Sequence, residues 1–219
     1  MNIQFEAVTK YYNQGNERIT ALQDVSFQVN SGESLAVIGQ SGSGKTTLLS
    51  LLAGLENCES GTIQLGATTV STLPDSQFTK FRALHMGIVF QQYHLMPHLT
   101  ALENVLLPLE INHVSKAREK ASEILVQVGL EKRLRHLPSQ MSGGENQRVA
   151  IARAMVHGPQ IILADEPSGS LDLKNGEMVM DLLFRLCDQA QSTLILVTHD
   201  NGLARRCKKT LHLKGGKIV

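Results

Sequence analysis

Gly39, Gly44, Lys45 and Thr46 stand in the spacing G-x-x-x-x-G-K-[ST], with Gln40, Ser41, Gly42 and Ser43 between them and Thr47 following. Each residue type has a physical reason. Glycine puts no side chain between a backbone amide and an approaching anion, and it enters backbone angles closed to other residues. Successive N–H groups can therefore converge on one point. Lys45 adds a mobile positive charge, and the Thr46 hydroxyl is a hard oxygen donor of the kind Mg²⁺ takes. This spacing serves to hold a chain of phosphates. The elements that must position it lie on either side. Residues 34–38 are apolar enough for a short strand, and residues 47–53 predict a helix whose positive N-terminal end faces the same anion.

Four further sets of residues have types suited to chemistry. Ile161, Ile162, Leu163 and Ala164 form an apolar strand that ends in Asp165 and Glu166. Two carboxylates at the C-terminal end of a buried strand sit where α/β folds place their sites. One can hold Mg²⁺ through its water shell while the next orients an attacking water. Ser142, Gly143, Gly144 and Glu145 open a helix with a capping box, and the two glycines leave its first N–H groups bare. That suits an anion, or simply a well-capped helix. His199 follows the apolar strand of residues 193–197, where a lone histidine is more often structural than functional. Tyr12, in a predicted polar turn of residues 10–15, either stacks on a purine ring or packs a hairpin.

The whole chain sets limits on these readings. At 219 residues it can bury a substantial core as one domain, with or without an inserted subdomain. A formal charge of +1 argues against a nucleic-acid partner held by broad electrostatics. The basic run Arg205, Arg206, Lys208, Lys209, Lys214 and Lys217 reads as a solvated face. Cys58, Cys187 and Cys207 follow no metal-ligand spacing and fit reduced thiols in the cytosol. No charged-then-apolar leader follows Met1, and the apolar runs are too short to span a bilayer, so a membrane role is expected to come through a partner.

Alternation predicts strands over residues 3–8 and 25–29, and further strands at 61–65 and 87–90. Residues 75–84 have helical spacing, and residues 91–97 read as a loop leaving the sheet. Thr100 and Glu103 form a capping box for a helix expected to stop near Pro108. A longer helix is predicted over residues 116–128, with Ser115 as its cap and Gly129 as its stop. Residues 92–158 thus look almost wholly helical, inserted between strands of a sheet.

The order is glycine loop, strand-end Gln91, Ser142-Gly143-Gly144, Asp165-Glu166, Ser170-Leu171-Asp172 and His199. With it, the chain resembles the ATP-binding subunits of ABC transporters. Residues 141–154, Met141 to Ala154, are similar to that family's signature, and no other phosphate-loop class carries it. The resemblance covers essentially residues 1–219. It implies an α/β P-loop NTPase with a RecA-like core sheet, an N-terminal antiparallel β subdomain and an inserted helical signature subdomain. The core is expected over residues 1–91 and 159–219, with the insert at 92–158.

The resemblance also implies roles. Tyr12 matches the aromatic that stacks on adenine, and Lys45 and Thr46 match the phosphate and Mg²⁺ contacts of bound ATP. Gln91 matches the glutamine that links metal and water to the helical subdomain. Asp165 matches the metal-side carboxylate, Glu166 the general base, and His199 the histidine on the γ-phosphate. Asp172 matches the aspartate of the dimer-contact loop. Ser142 and Gly144, with Gly143 and Glu145 around them, match the grip on the nucleotide of a facing subunit. Two chains are therefore expected to sandwich ATP and to work an integral membrane permease from the cytoplasmic face. Met141, the pair Glu145-Asn146 and Ser168-Gly169-Ser170 depart from the commonest family pattern, but none removes a charged or catalytic group.

Within the family, residues 89–108 and the stretches flanking the signature and His199 are similar to the lipoprotein-release and peptide- or macrolide-export branch, which includes division-linked permeases. Two other classes compete. A soluble ABC-type ATPase acting on ribosomes or DNA would carry a second cassette or a coiled-coil insertion. A small-molecule kinase would lack the signature and His199.

Overall fold

A computed structural model describes every residue except Asn16, and of Gln14 only the backbone. Its elements are β1 (Ile3–Gln14), β2 (Glu17–Val29), β3 (Ser34–Ile38), α1 (Lys45–Leu52), β4 (Ser60–Leu65), β5 (Thr68–Thr69), α2 (Asp75–His85) and β6 (Met86–Phe90). They continue with α3 (Ala101–Ile111), α4 (Ala117–Gln127), α5 (Gly143–Met155), β7 (Ile161–Asp165) and α6 (Leu173–Ala190). The last are β8 (Thr193–Val197), α7 (Asn201–Ala204), β9 (Lys209–Lys214) and β10 (Lys217–Ile218). The chain divides into two compact units, Met1–Arg82 with Gln191–Val219, and Ala83–Ala190.

In the first unit β2, β1, β4 and β5 make an antiparallel sheet, in that order. Ile3, Phe5 and Val8 from β1 meet Leu22, Val25, Ile63 and Leu65 in its core, all buried. Beside it β3 lies parallel to both β8 and β9. A strand flanked in this way loses the polar alternation of an exposed face, and Leu35, Ala36 and Val37 are all buried. Half-buried Ile38, the last residue of β3, feeds directly into the glycine loop.

In the second unit β6 pairs parallel with β7, from Met86↔Ile161 to Phe90↔Asp165. Helices α3, α4 and α5 pack with each other, and α6 buries Val179, Met180, Leu183, Leu186 and Cys187 at helical spacing. Each such aliphatic side chain taken out of water contributes about 1.5–3 kcal/mol.

Three expectations are corrected. Residues 10–14 are not a turn: β1 runs through them, paired with β2 in the register Tyr11↔Thr20 and Tyr12↔Ile19. The helix begun by Thr100 does not stop at Pro108, which lies inside α3. Leu109 beyond it is wholly buried, and the Asn112 side chain donates to the Pro108 carbonyl at 2.9 Å and to the Ala83 carbonyl at 2.9 Å. These anchor the last turn despite the missing N–H. Ser115 does not cap α4. Its N-cap is Lys116, in the left-handed region at φ 56° with no side-chain bond to the first turn.

Candidate functional site

The phosphate-loop residues lie in the first unit, at the C-terminal end of β3. Gly44 has φ +105°, and a Cβ there would stand 2.4 Å from the Ala21 carbonyl oxygen. A Cβ on Gly39 would stand 2.3 Å from the Leu213 carbonyl oxygen. Neither position admits another residue. Lys45 is buried, and its Nζ donates to the carbonyls of Gly39 at 2.8 Å and Gln40 at 2.9 Å. The lysine therefore closes the loop around its own ammonium. Helix α1 begins at Lys45, two residues earlier than spacing predicts, and it leaves the Thr46 hydroxyl at an exposed position in the first turn.

Tyr12 is 38% exposed, whereas the neighbouring Tyr11 ring is covered by the Arg18 guanidinium, 3.0 Å from its centroid. Of the two aromatics Tyr12 is the more exposed, with Lys10 Nζ over its ring at 5.2 Å from the centroid. His199 lies between β8 and α7, exposed. The turn that presents it is built by Thr198, whose hydroxyl accepts from the Asp200 N–H at 3.0 Å, and by Asp200, whose carboxylate caps α7.

The second unit carries the signature and the acidic pair. Asp165 ends β7 in register with Phe90, and Glu166 follows at φ +44°, outside the strand geometry. Its carbonyl accepts from the Gly169 N–H at 2.9 Å, starting the turn that leads to Asp172. Asp172 bonds the N–H and the amide side chain of Asn175 at 3.1 and 2.6 Å. Those bonds, the side-chain amide first, hold its carboxyl below the usual carboxylate range.

At α5 both halves of the expected capping box are present: the Glu145 N–H donates to the Ser142 hydroxyl at 3.3 Å, and the Ser142 N–H to the Glu145 carboxylate at 2.8 Å. The other Glu145 oxygen accepts from Arg133 Nε at 2.7 Å. The Ser142 N–H, then the Arg133 guanidinium and the Ser142 hydroxyl, outweigh partial burial and hold the Glu145 carboxyl down to about 2. A depressed carboxyl stabilises the fold above its unfolded value of roughly 4.3, and the contribution is lost as pH falls through about 2. Glu145→Gln is therefore expected to unfold at lower temperature than the parent at pH 6, with the gap closing towards pH 2. Thermal melts across that range check this, and a gap constant with pH would refute it.

Sequence reasoning missed the residues that hold the Gln91 loop. Gln147, wholly buried on α5, donates to the Phe90 carbonyl at 3.2 Å. Arg153, two turns on, donates to the carbonyls of Tyr93 at 2.8 Å and His94 at 2.6 Å. Asn104 is wholly buried and ties Met96, Leu99 and Thr100 through its amide. None has a local signal, since each bonds backbone outside its own helix.

A glycine phosphate loop between β3 and α1, an acidic strand end on β7 and a glycine-opened helix α5 define the ATP-binding cassette class of P-loop NTPase. The chain belongs to the ABC transporter family, whose profile matches residues 22–169, and it is an ATPase of that family. It is 43% identical over 218 residues to the lipoprotein-releasing system ATP-binding protein LolD of Bacteroides thetaiotaomicron, covering 99% of this chain and 98% of that one. It is 43% identical to the macrolide export ATP-binding/permease protein MacB of Salmonella typhimurium, covering 97% of this chain and 33% of that protein. The ATP-binding cassette MJ0796, solved as a post-hydrolysis dimer with ADP and Pi, superposes with a TM-score of 0.91 at 40% identity, covering 99% of this chain and 96% of that one.

Proposed function

We propose that this ATPase dimerises on ATP and drives an integral membrane permease, in lipoprotein release or peptide- and macrolide-type export. The observation that carries the reading is the N-terminus of α5. Two glycines open it, and its cap Ser142 is fixed by Glu145, which Arg133 holds in turn, so its N–H groups are held ready for an anion. Similarity to LolD and MacB supports the branch, and the dimeric form of MJ0796 supports association in pairs. Among the described residues no helix is long and apolar enough to cross a membrane. The chain is proposed to sit on the cytoplasmic face through its permease.

In this reading residues 39–47 hold the phosphates and Tyr12 stacks on the adenine. Glu166 accepts a proton from the attacking water, His199 senses the γ-phosphate, and Gln91 reports its state. Ser142, Gly143, Gly144 and Glu145 serve the facing subunit's nucleotide, and Asp172 touches that subunit. Thr46, Asp165 and Gln91 would hold Mg²⁺. Among the described residues no group of three or more His, Cys, Asp or Glu could bind a metal, and a hydroxyl, an amide oxygen and one carboxylate are hard donors that leave places for phosphate oxygens and water. When bound, the ion offsets charge on the phosphates. Residues 92–158 form the signature-bearing insert.

Nucleotide titration of two variants tests the assignment. Lys45→Ala removes a charge aimed at the outer phosphates and also frees the Gly39 and Gln40 carbonyls it closes. Its ATP Kd is expected to rise by about tenfold or more, the scale of one charge-assisted hydrogen bond. His199→Ala should lose hydrolysis while keeping most of its affinity. Equal loss of binding in both variants would remove the sensing role from His199. Phosphate transfer to a small molecule rather than to water would revive the kinase reading.

A further inference from the structure

The Gln91 loop, the signature turn and the turn before Asp172 meet at one side chain, Tyr93, all within the second unit. The Ser170 hydroxyl donates to the Gln91 carbonyl at 3.1 Å and shares a hydrogen bond with the Tyr93 hydroxyl at 3.3 Å. On its other side the Tyr93 hydroxyl faces Gly143: a Cβ built there would stand 2.8 Å from it, with Leu171 Cδ2 at 3.3 Å and Tyr93 Cζ at 3.9 Å. Tyrosine ring ends normally give way to a small intrusion, but this one is restrained at its base. Tyr93 and His94 both lie in the left-handed region, at φ 33° and 47°, which non-glycine residues enter only when their surroundings hold them there. The Arg153 guanidinium on their carbonyls holds them there. The ring cannot swing away without leaving Ser170.

We propose that Tyr93 is a positioning residue whose hydroxyl joins the Gln91 loop, the signature turn and the Asp172 turn of one subunit into a single moving body. Gly143 is required because this hydroxyl fills the space where its Cβ would be. The inference rests on the function proposed above, and it adds a route by which a change at Gln91 reaches Ser142 and Asp172 through one contact. Tyr93 touches no nucleotide in this scheme, so its loss should act on dimerisation and turnover and leave ATP affinity alone.

The test uses full-length protein in a Glu166→Gln background, with light scattering on ATP titration for dimerisation. Tyr93→Phe and Ser170→Ala should each weaken the ATP-driven dimer about three- to tenfold, the scale of one neutral hydrogen bond, with the monomer's ATP Kd unchanged within about twofold. Combining them should be no worse than Ser170→Ala alone, because that variant already removes the bond to Tyr93 along with its own bond to the Gln91 carbonyl. Gly143→Ala should weaken the dimer more than either. Adding Tyr93→Phe should restore part of that loss, since the nearest ring carbon then lies 3.9 Å from the new methyl. A Gly143→Ala, Tyr93→Phe protein no better than Gly143→Ala overturns the proposal. So does full additivity of Tyr93→Phe and Ser170→Ala. If Glu166→Gln itself does not dimerise, the function reading fails instead. The steric pair is then read from nucleotide-free thermal unfolding, where Tyr93→Phe must recover the midpoint lost in Gly143→Ala.

Discussion

Glu166→Gln is expected to bind ATP with near-normal affinity and to hydrolyse it more slowly by a factor on the order of hundreds or more. Losing a general base costs about 10²–10⁴-fold, and the amide keeps the shape of the carboxylate while accepting no proton. The two neighbouring carboxylates are not equivalent. Asp165 is held in the β7 register opposite Phe90, a fixed position suited to a metal shell. Glu166 is turned out of the strand at φ +44°, its carbonyl engaged by Gly169. Glutamine adopts the same backbone region at similar cost, so the fold should be unchanged. Steady-state phosphate release and ATP titration on the same preparation decide the matter. Near-normal hydrolysis would refute the role of Glu166.

What the sequence made legible is what its residues settle within a turn of themselves. Both capping boxes, Thr100 with Glu103 and Ser142 with Glu145, are patterns three residues apart, and both formed as read. The glycine loop and the apolar strands β3, β7 and β8 are likewise local. What failed depends on distant partners. Lys10 to Gln14 look polar enough for a turn, but residues 17–22 pair with them and the hairpin extends. Pro108 is a stop signal by itself, yet burial of Leu109 and the Asn112 side chain outweigh it. The supports of the Gln91 loop stayed invisible for the same reason: Gln147 and Arg153 sit 57 and 59 or 60 residues from the carbonyls they bind. The groups proposed to touch nucleotide follow family motifs, whereas those that hold them in place follow the tertiary fold.

ATP should act as the adhesive between two copies, and Ser142→Arg should remove it. The Ser142 hydroxyl is exposed at the opening of α5, beside Gly143 and Gly144, where in its own chain it accepts the Glu145 N–H and supports the Glu145 carboxylate. A phosphate of a facing subunit would add charge-assisted hydrogen bonds there, and an interface that is weak when empty becomes stable by mass action. Glu166→Gln protein is therefore expected to be monomeric without nucleotide and dimeric with ATP, because the γ-phosphate is no longer removed. Arginine at position 142 fills the anion position with a bulky cation and also deletes the cap that Glu145 answers. Loss of a cap costs about 1 kcal/mol, too little to unfold a domain of this size, so a folded monomer should remain. That monomer should bind ATP as the parent does, since its own phosphate loop is untouched, while its ATP-dependent dimer falls below detection. Light scattering at matched concentrations, with circular dichroism to confirm folding, reads both quantities. A Ser142→Arg, Glu166→Gln protein that dimerises as well as Glu166→Gln would mean that the signature helix does not serve the nucleotide of a second subunit.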